Sequence, residues 1–279
     1  PVNDAPTMTT ISTVFGGPED TTIQLQGSAL FGAANEADVD SSPLQLRFPG
    51  ATANVTVNGS PVTAATNFSS TDIIAWTPAA NTYGIINAFS LVAWDGALDS
   101  GTPVAVPVYV LPVNDQPSFA GGNVTVDEDA GAQSMSGWAT FNPGINESSQ
   151  NVLAYTVTVT SGAAFLSAGP SIDTAGTMTF TPAADANGTV NFDIFVRDTG
   201  GTPNGGVDTS ATLSYSITID PVNDAPSYTA SNPAAVLEDA GAQTINGWAG
   251  GFDPGAANET QSVASYNVSN VSNSALFSA

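Results

Sequence analysis

One phrase organises this chain: "PVNDAP" at 1–6, "PVNDQP" at 112–117 and "PVNDAP" again at 221–226, spaced by 111 and 109 residues. A repeat of that length is the size of a small domain, so each copy must bury a core of its own and the chain reads as a series. Other landmarks keep their order inside each copy. An acidic pair comes first: Glu19-Asp20, Glu128-Asp129 and Glu238-Asp239. An Asn-Glu pair follows, setting Glu36, Glu147 and Glu259 in register. Then "WTPAAN" (76–81) matches "FTPAAD" (180–185), and "AWDG" (93–96) matches "VRDTGG" (196–201). The repeats are read as 1–111, 112–220 and 221–279, each led by its connector. The third holds only the first half of the pattern, so the chain is expected to be a slice of something longer.

Within the second copy the apolar period is 2, as in half-buried strands. Tyr155, Val157 and Val159 alternate with polar neighbours, as do Val190, Phe192, Ile194 and Val196, and Leu213, Tyr215, Ile217 and Ile219. Copy one places Phe89, Leu91 and Ala93 on the equivalent face, and "VTVNGSPV" offers a hairpin turn at Asn58-Gly59. No long stretch repeats every 3.6 residues. Roughly seven short strands per copy, separated by turn signals, predict all-β tandem immunoglobulin-like sandwiches. Trp138 matches Trp248 and Trp76 matches Phe180. Such positions read as core packing rather than as a stacking platform for a ligand.

Charge narrows the partners. The chain has 25 Asp and Glu against two basic residues, Arg47 and Arg197, with no Lys or His, giving a net charge of −23. Phosphates need basic residues to replace their counterions, so nucleic acid is excluded as a partner, and an anionic membrane surface is disfavoured likewise. There is no Cys, which removes disulfide stapling, and the lack of Lys removes a Lys-Asn cross-link. No apolar run is long enough to enter a membrane.

The connectors explain the acidic landmarks. Prolines at both ends hold each one extended and disfavour helix, so the link between copies is short and stiff. Loops of a sandwich fall alternately on its two ends. The acidic pair and the Thr-Pro-Ala-Ala loop of one copy should therefore meet the Asn-Glu and Asp loops of the next across the connector. That gathers Glu19, Asp20, Asn81, Asn114, Asp115, Glu147 and Asp198 at the first boundary. Glu128, Asp129, Asp185, Asn223, Asp224 and Glu259 gather at the second. Carboxylates so close repel unless a cation sits among them. Six to eight oxygens in flexible geometry suit Ca²⁺, whereas Mg²⁺ demands a stricter octahedron and Zn²⁺ prefers His or Cys. Taken singly, an Asn-Asp between prolines also reads as a turn. Asp72, Asp99, Asp173 and Asp193 read as solvated surface charges, and Asp208 is left open.

On these motifs, together with "EDAGAQ", "PGINESSQ", "TPAADANGT" and "RDTGGTPNGGVDTS", the whole chain resembles the cadherin-like tandem repeats of bacterial surface proteins and large secreted adhesins. The resemblance implies cadherin-like β-sandwiches in a linear array, with connector ligands at Asn114, Asp115, Asn223 and Asp224, and at Asp4 in the first connector. It implies first-strand ligands at Glu19, Glu128 and Glu238, with Asp239 beside the last. The Asp-x-Asp loop of cadherins is matched at Asp38 and Asp40, and the Asp-x-Gly loop at Asp95. Copies two and three carry Asn-Glu in place of Asp-x-Asp.

The function expected is non-enzymatic: a calcium-rigidified segment of an extracellular stalk, adhesin or surface filament, partnered by its neighbouring repeats. The alternative makes the sandwiches glycan- or subunit-binding modules that assemble laterally into a sheath or surface layer, with surface glycans or identical chains as partners. Catalysis is disfavoured, because no His, Cys or Lys is present to activate a nucleophile or form an imine.

Overall fold

The computed structural model describes residues 2–41 and 43–274. Pro1 of the first connector, Ser42 and the last five residues of the third repeat lie outside the described residues. Contacts gather the chain into two compact units. One comprises Pro1–Phe119, Phe141–Ala154 and Val196–Ala211. The other comprises Ala120–Thr140, Tyr155–Phe195 and Thr212–Ala279.

The first repeat forms β1 (Val14–Pro18), β2 (Ile23–Gln26), a seven-residue helix α1 (Gly27–Ala33), β3 (Gln45–Phe48), β4 (Val55–Val57), β5 (Ser60–Pro61), β6 (Thr66–Phe68), β7 (Ile73–Trp76), β8 (Gly84–Trp94) and β9 (Val104–Leu111). The second forms β10 (Ser118–Ala120), β11 (Val124–Asp127), β12 (Gln133–Met135), β13 (Thr140–Asn142), β14 (Val152–Ser161), β15 (Leu166–Ile172), β16 (Met178–Pro182), β17 (Gly188–Asp198) and β18 (Leu213–Asp220). The third contributes β19 (Ser227–Ala230) and β20 (Ala249–Asp253). The fold is all-β, as the period-2 pattern predicts. The helix escapes a periodicity search because it is only two turns long.

First-repeat strands make two sheets, ordered β1-β9-β8-β3-β6 and β2-β7-β4-β5. Between them lies a core of Leu46, Phe48, Phe68, Ile74, Leu91, Val106 and Val108, each at most 2 % exposed. Each such side chain contributes about 1.5–3 kcal/mol on leaving water. Phe89, Leu91 and Ala93 are buried, as their alternation requires. The Asn58-Gly59 turn joins β4 to β5, with both residues in the left-handed region that this turn needs.

Second-repeat strands order as β11-β18-β17-β14 and β12-β16-β15. Val190, Phe192, Ile194 and Ile217 are fully buried. Leu213, expected on that face, is 37 % exposed because it opens β18 at the end of the ladder, where it pairs with Ile194. Trp138 packs edge-on to Tyr215 (centroids 5.1 Å, 76°) and near Phe192 (6.3 Å), which agrees with a packing role. Its counterpart Trp248 donates to Ser231 O (2.6 Å), as Trp138 donates to Gly122 O (2.9 Å), but is 38 % exposed.

One pairing positions everything that follows. β1 runs parallel to β9 (Val14 with Val108), and β11 runs parallel to β18 (Val124 with Ile217). The first strand of a repeat thus ends beside the end of its last strand, where the connector departs. Glu19 N–H donates to Leu111 O (2.9 Å), and Glu128 N–H to Asp220 O (2.8 Å).

Candidate metal centres

In the first unit the connector Val113-Asn114-Asp115 is held on both sides by carboxylates. Val113 N–H donates to Glu19 Oε1 (2.9 Å) and Asp115 N–H to Glu147 Oε1 (3.1 Å). The Asn114 amide donates to Asp198 Oδ1 (3.1 Å) and to Val207 O (2.9 Å). Asp20, in a left-handed turn, accepts Asn81 N–H (2.7 Å). Seven predicted residues are thereby brought together: Glu19, Asp20, Asn81, Asn114, Asp115, Glu147 and Asp198.

Several of them are nearly sealed from water: Glu19 is 4 % exposed, Asn114 8 %, Glu147 8 % and Asp198 1 %. Yet Glu19 Oε2, Asn114 Oδ1, Glu147 Oε2 and Gln150 Oε1 are buried acceptors that meet no donor among the described residues. Native structures rarely leave a buried polar atom unpartnered, and a carboxylate can only accept. Burial first, and then the charges of Asp20 and Asp115, push the Glu19 carboxyl above its ordinary range, against the downward pull of the Val113 N–H. Burial raises Asp115 and Glu147 as well, helped by Asp20 on the former and by Asp115 and Asp198 on the latter. The two bases are engaged elsewhere: Arg197 pairs with Asp208 (2.6 Å), and Arg47 lies over the Trp94 ring (4.1 Å). Chemically, this arrangement can hold a cation.

The second unit repeats the pattern with its own residues. Val222 N–H donates to Glu128 Oε1 (2.8 Å), Asp224 N–H to Glu259 Oε1 (2.9 Å), and Asp185 N–H to Asp129 Oδ1 (3.2 Å). Oxygens of Asp129, Asp185 and Asp224 all lie within 4.8 Å of one another. One ion could touch all three, since ligands on opposite sides of Ca²⁺ stand roughly 5 Å apart. Asp224 Oδ2 has no donor. Burial, followed by the charges of Asp129, Asp185, Glu259 and Glu128, raises its carboxyl. Asn223 is turned differently from Asn114: its amide donates to Asp224 O (2.9 Å), and its oxygen accepts Gln261 (2.7 Å).

A third cluster surrounds the first connector. Asn3 donates to Asp95 Oδ2 (2.8 Å) and Asp4 N–H to Asp40 Oδ2 (3.3 Å), while Asp38 caps the amides of Asp40 and Ser41. These amides hold Asp38 below its usual value. Sharing a hydrogen bond with Asp38 raises Asp40, and the amides of Leu98 and Ala97 lower Asp95. The connector amide that Glu147 and Glu259 accept in repeats two and three goes in repeat one to Asp40 rather than to Glu36, which the sequence sets in register with them. Glu238 and Asp239 stand exposed.

Asp72, read as a surface charge, also organises a turn. It accepts Ser69 N–H (2.6 Å), Ser69 Oγ (2.9 Å) and Asn58 Nδ2 (2.7 Å), and Asp208 proves to be the partner of Arg197. Sequence reasoning missed Gln150, which donates to Glu147 Oε1 (2.8 Å) and brings a bare oxygen into the centre. A Gln trails the Asn-Glu pair in both "NESSQ" and "NETQ", and that was the signal. Gly144 was also missed. It sits at φ +126°, and a Cβ there would stand 2.5 Å from Glu147 Oε2, as one at Gly255 (φ +131°) would stand 2.7 Å from Asp224 Cβ.

No protein-family model and no curated protein matches the chain. Among solved structures it is similar to repeats EC1-2 of human protocadherin-24 (Form II), at 16% identity and a TM-score of 0.52, covering 78% of this chain and 99% of that one. Another crystal structure of the same human repeats gives 16% identity and a TM-score of 0.49 over 79% and 100%. Repeats EC21-23 of human CDH23 give 13% and 0.44 over 85% and 76%. The fold is therefore cadherin-like.

Proposed function

We propose that this cadherin-like chain is a structural, non-catalytic segment of an extracellular stalk, adhesin or surface filament of the bacterial kind, stiffened by Ca²⁺ at the connectors. Its three repeats divide at 111/112 and 220/221. Glu19, Asp20, Asp115, Glu147 and the oxygens of Asn114 and Gln150 hold the ion of the first boundary. Asp129, Asp185 and Asp224, with Glu128 and Glu259 beside them, hold that of the second. The N-terminal cluster of Asp4, Asp38, Asp40 and Asp95 supplies one side of a further site. The observation that carries this reading is the set of buried acceptor oxygens around Asn114 and Asp115 that no donor reaches. A cation bound there would offset their mutual repulsion and tie both flanking repeats to one connector.

The test is calcium chelation followed by thermal melting and small-angle scattering. The reading expects a lower melting temperature and a shorter, more variable solution length without calcium. If both quantities are unchanged, the metal has no part in the protein.

A further inference from the structure

The two complete repeats differ at one sheet edge. In the first, β3 is flanked by β8 on one side and on the other by β6, which comes from the segment between β5 and β7. Phe68 of β6 pairs with Leu46 and stacks near Phe48 (5.6 Å), and both β3 side chains are fully buried. The matching strand of the second repeat is β14, which neighbours β17 as β3 neighbours β8. Among the described residues the sheet ends there, its order being β11-β18-β17-β14. The inward-facing Val157 and Val159 are accordingly only half-buried, while Thr156, Thr158 and Thr160 face solvent.

Bare edges in natural sheets are usually blunted by charge, proline or a bulge. β14 has none of the first two: "VLAYTVTVTS" contains no ionisable acid or base other than Tyr155, and no Pro or Gly. It lies within residues 148–172, the longest run in the chain free of Asp, Glu, Lys and Arg. At a net charge of −23, copies of the chain repel almost everywhere else.

We propose that the outer edge of β14 pairs antiparallel with the same edge of a second copy, joining two four-stranded sheets into one across a two-fold axis. The occupant is set by the chemistry of the strand itself. A basic or acidic strand finds no opposite charge here, whereas a neutral Thr/Val strand matches itself in length and character. The first repeat shows that this edge of the fold accepts a neutral strand, Thr-Asn-Phe. Val157 and Val159 of each copy would then be covered by the other's, as Phe68 covers Leu46. Self-complementary contacts of this kind close at two copies.

The chain has no Cys, so cross-linking is clean. Thr156→Cys, Thr158→Cys and Thr160→Cys are oxidised separately at physiological ionic strength, with Thr63→Cys as a surface control. Sedimentation follows the unmodified chain at rising concentration, with calcium and with chelator. Expected are a doubled mass in both solvents and efficient disulfide dimer from the one threonine nearest the two-fold axis, where facing Cβ atoms stand about 4.5–5.5 Å apart. Thr158→Lys should weaken association roughly tenfold or more by opposing like charges, with an unchanged melting temperature. A monomer at every concentration would overturn the proposal. So would a dimer indifferent to Thr158→Lys, one seen only with calcium, or cross-linking no better than the control's.

Discussion

Replacing Glu19 by Gln tests the cation reading through a change of sign. Gln keeps an oxygen for Val113 N–H and nearly the same shape, so the hydrogen bond of 2.9 Å survives. What disappears is one charge from a cluster in which burial and Asp20 and Asp115 already push that carboxyl up. Without metal, E19Q should therefore be more stable than the parent chain. With metal the order reverses, because Oε2, the acceptor with no donor, becomes an amide N–H₂ that faces the ion with the wrong polarity. Removing even an outer-shell partner weakens a metal site by roughly tenfold to a hundredfold, and a direct ligand should cost at least the upper figure. At calcium about a hundred times Kd, binding contributes about 2.7 kcal/mol; a hundredfold weaker site leaves about 0.4 kcal/mol. The loss of about 2.3 kcal/mol corresponds to a fall of roughly 5–9 °C in Tm at the 2–4 °C per kcal/mol typical of mid-sized domains. Paired thermal melts of both proteins, in calcium and in chelator, supply the measurement. An E19Q chain that melts lower by the same amount in both solvents would refute the reasoning, since that would make Glu19 a structural cap only.

Two further outcomes follow from the same geometry. Gly144→Ala must place a Cβ 2.5 Å from Glu147 Oε2 at a backbone φ of +126°, and should cost about 1–3 kcal/mol and weaken calcium binding. Gly122→Ala, which meets open space, should stay within about 0.5 kcal/mol, and urea unfolding with calcium titration compares the two. In pH, Glu19, Asp115, Glu147 and Asp224 all have carboxyls raised in the folded, metal-free chain, so the folded state there binds more protons than the unfolded one. Their contribution is complete below the ordinary carboxylate range and is lost as pH rises through the raised values. In the metal-free chain these four groups therefore add stability on acidification from neutrality toward that range, in opposition to the lowered carboxyls of Asp38, Asp72, Asp95 and Asp208, whereas with calcium bound acidification costs stability at the same four groups because protons compete for the ligands. Melting curves across this window that lose stability on acidification no more steeply with calcium than without it would contradict the assignment.

Much of the architecture is legible without coordinates because it is written in short-range order. The alternation of Val190, Phe192, Ile194 and Val196 can only sit half-buried on a sheet, and Asn58-Gly59 can close a hairpin from its own dihedral preferences. Recurrence of Pro-Val-Asn-Asp beside Glu19-Asp20 and Glu128-Asp129 likewise marks where carboxylates accumulate, since neighbours along the chain stay neighbours in any fold. Which oxygen faces which amide is another matter. Glu19, Asp115, Glu147 and Asp198 are far apart in sequence: Glu19 reaches the connector because β1 lies parallel to β9, a pairing no local pattern announces, and Glu147 and Asp198 reach it from loops of the second repeat. The same distance between cause and residue explains why Asp40 and not Glu36 caps Asp4, why Gln150 turns inward, and why β14 ends its sheet while β3 does not. Local sequence chooses strands and turns through steric and solvation preferences that act within a few residues; long-range strand pairing alone decides which of their polar atoms are buried together and left wanting a partner.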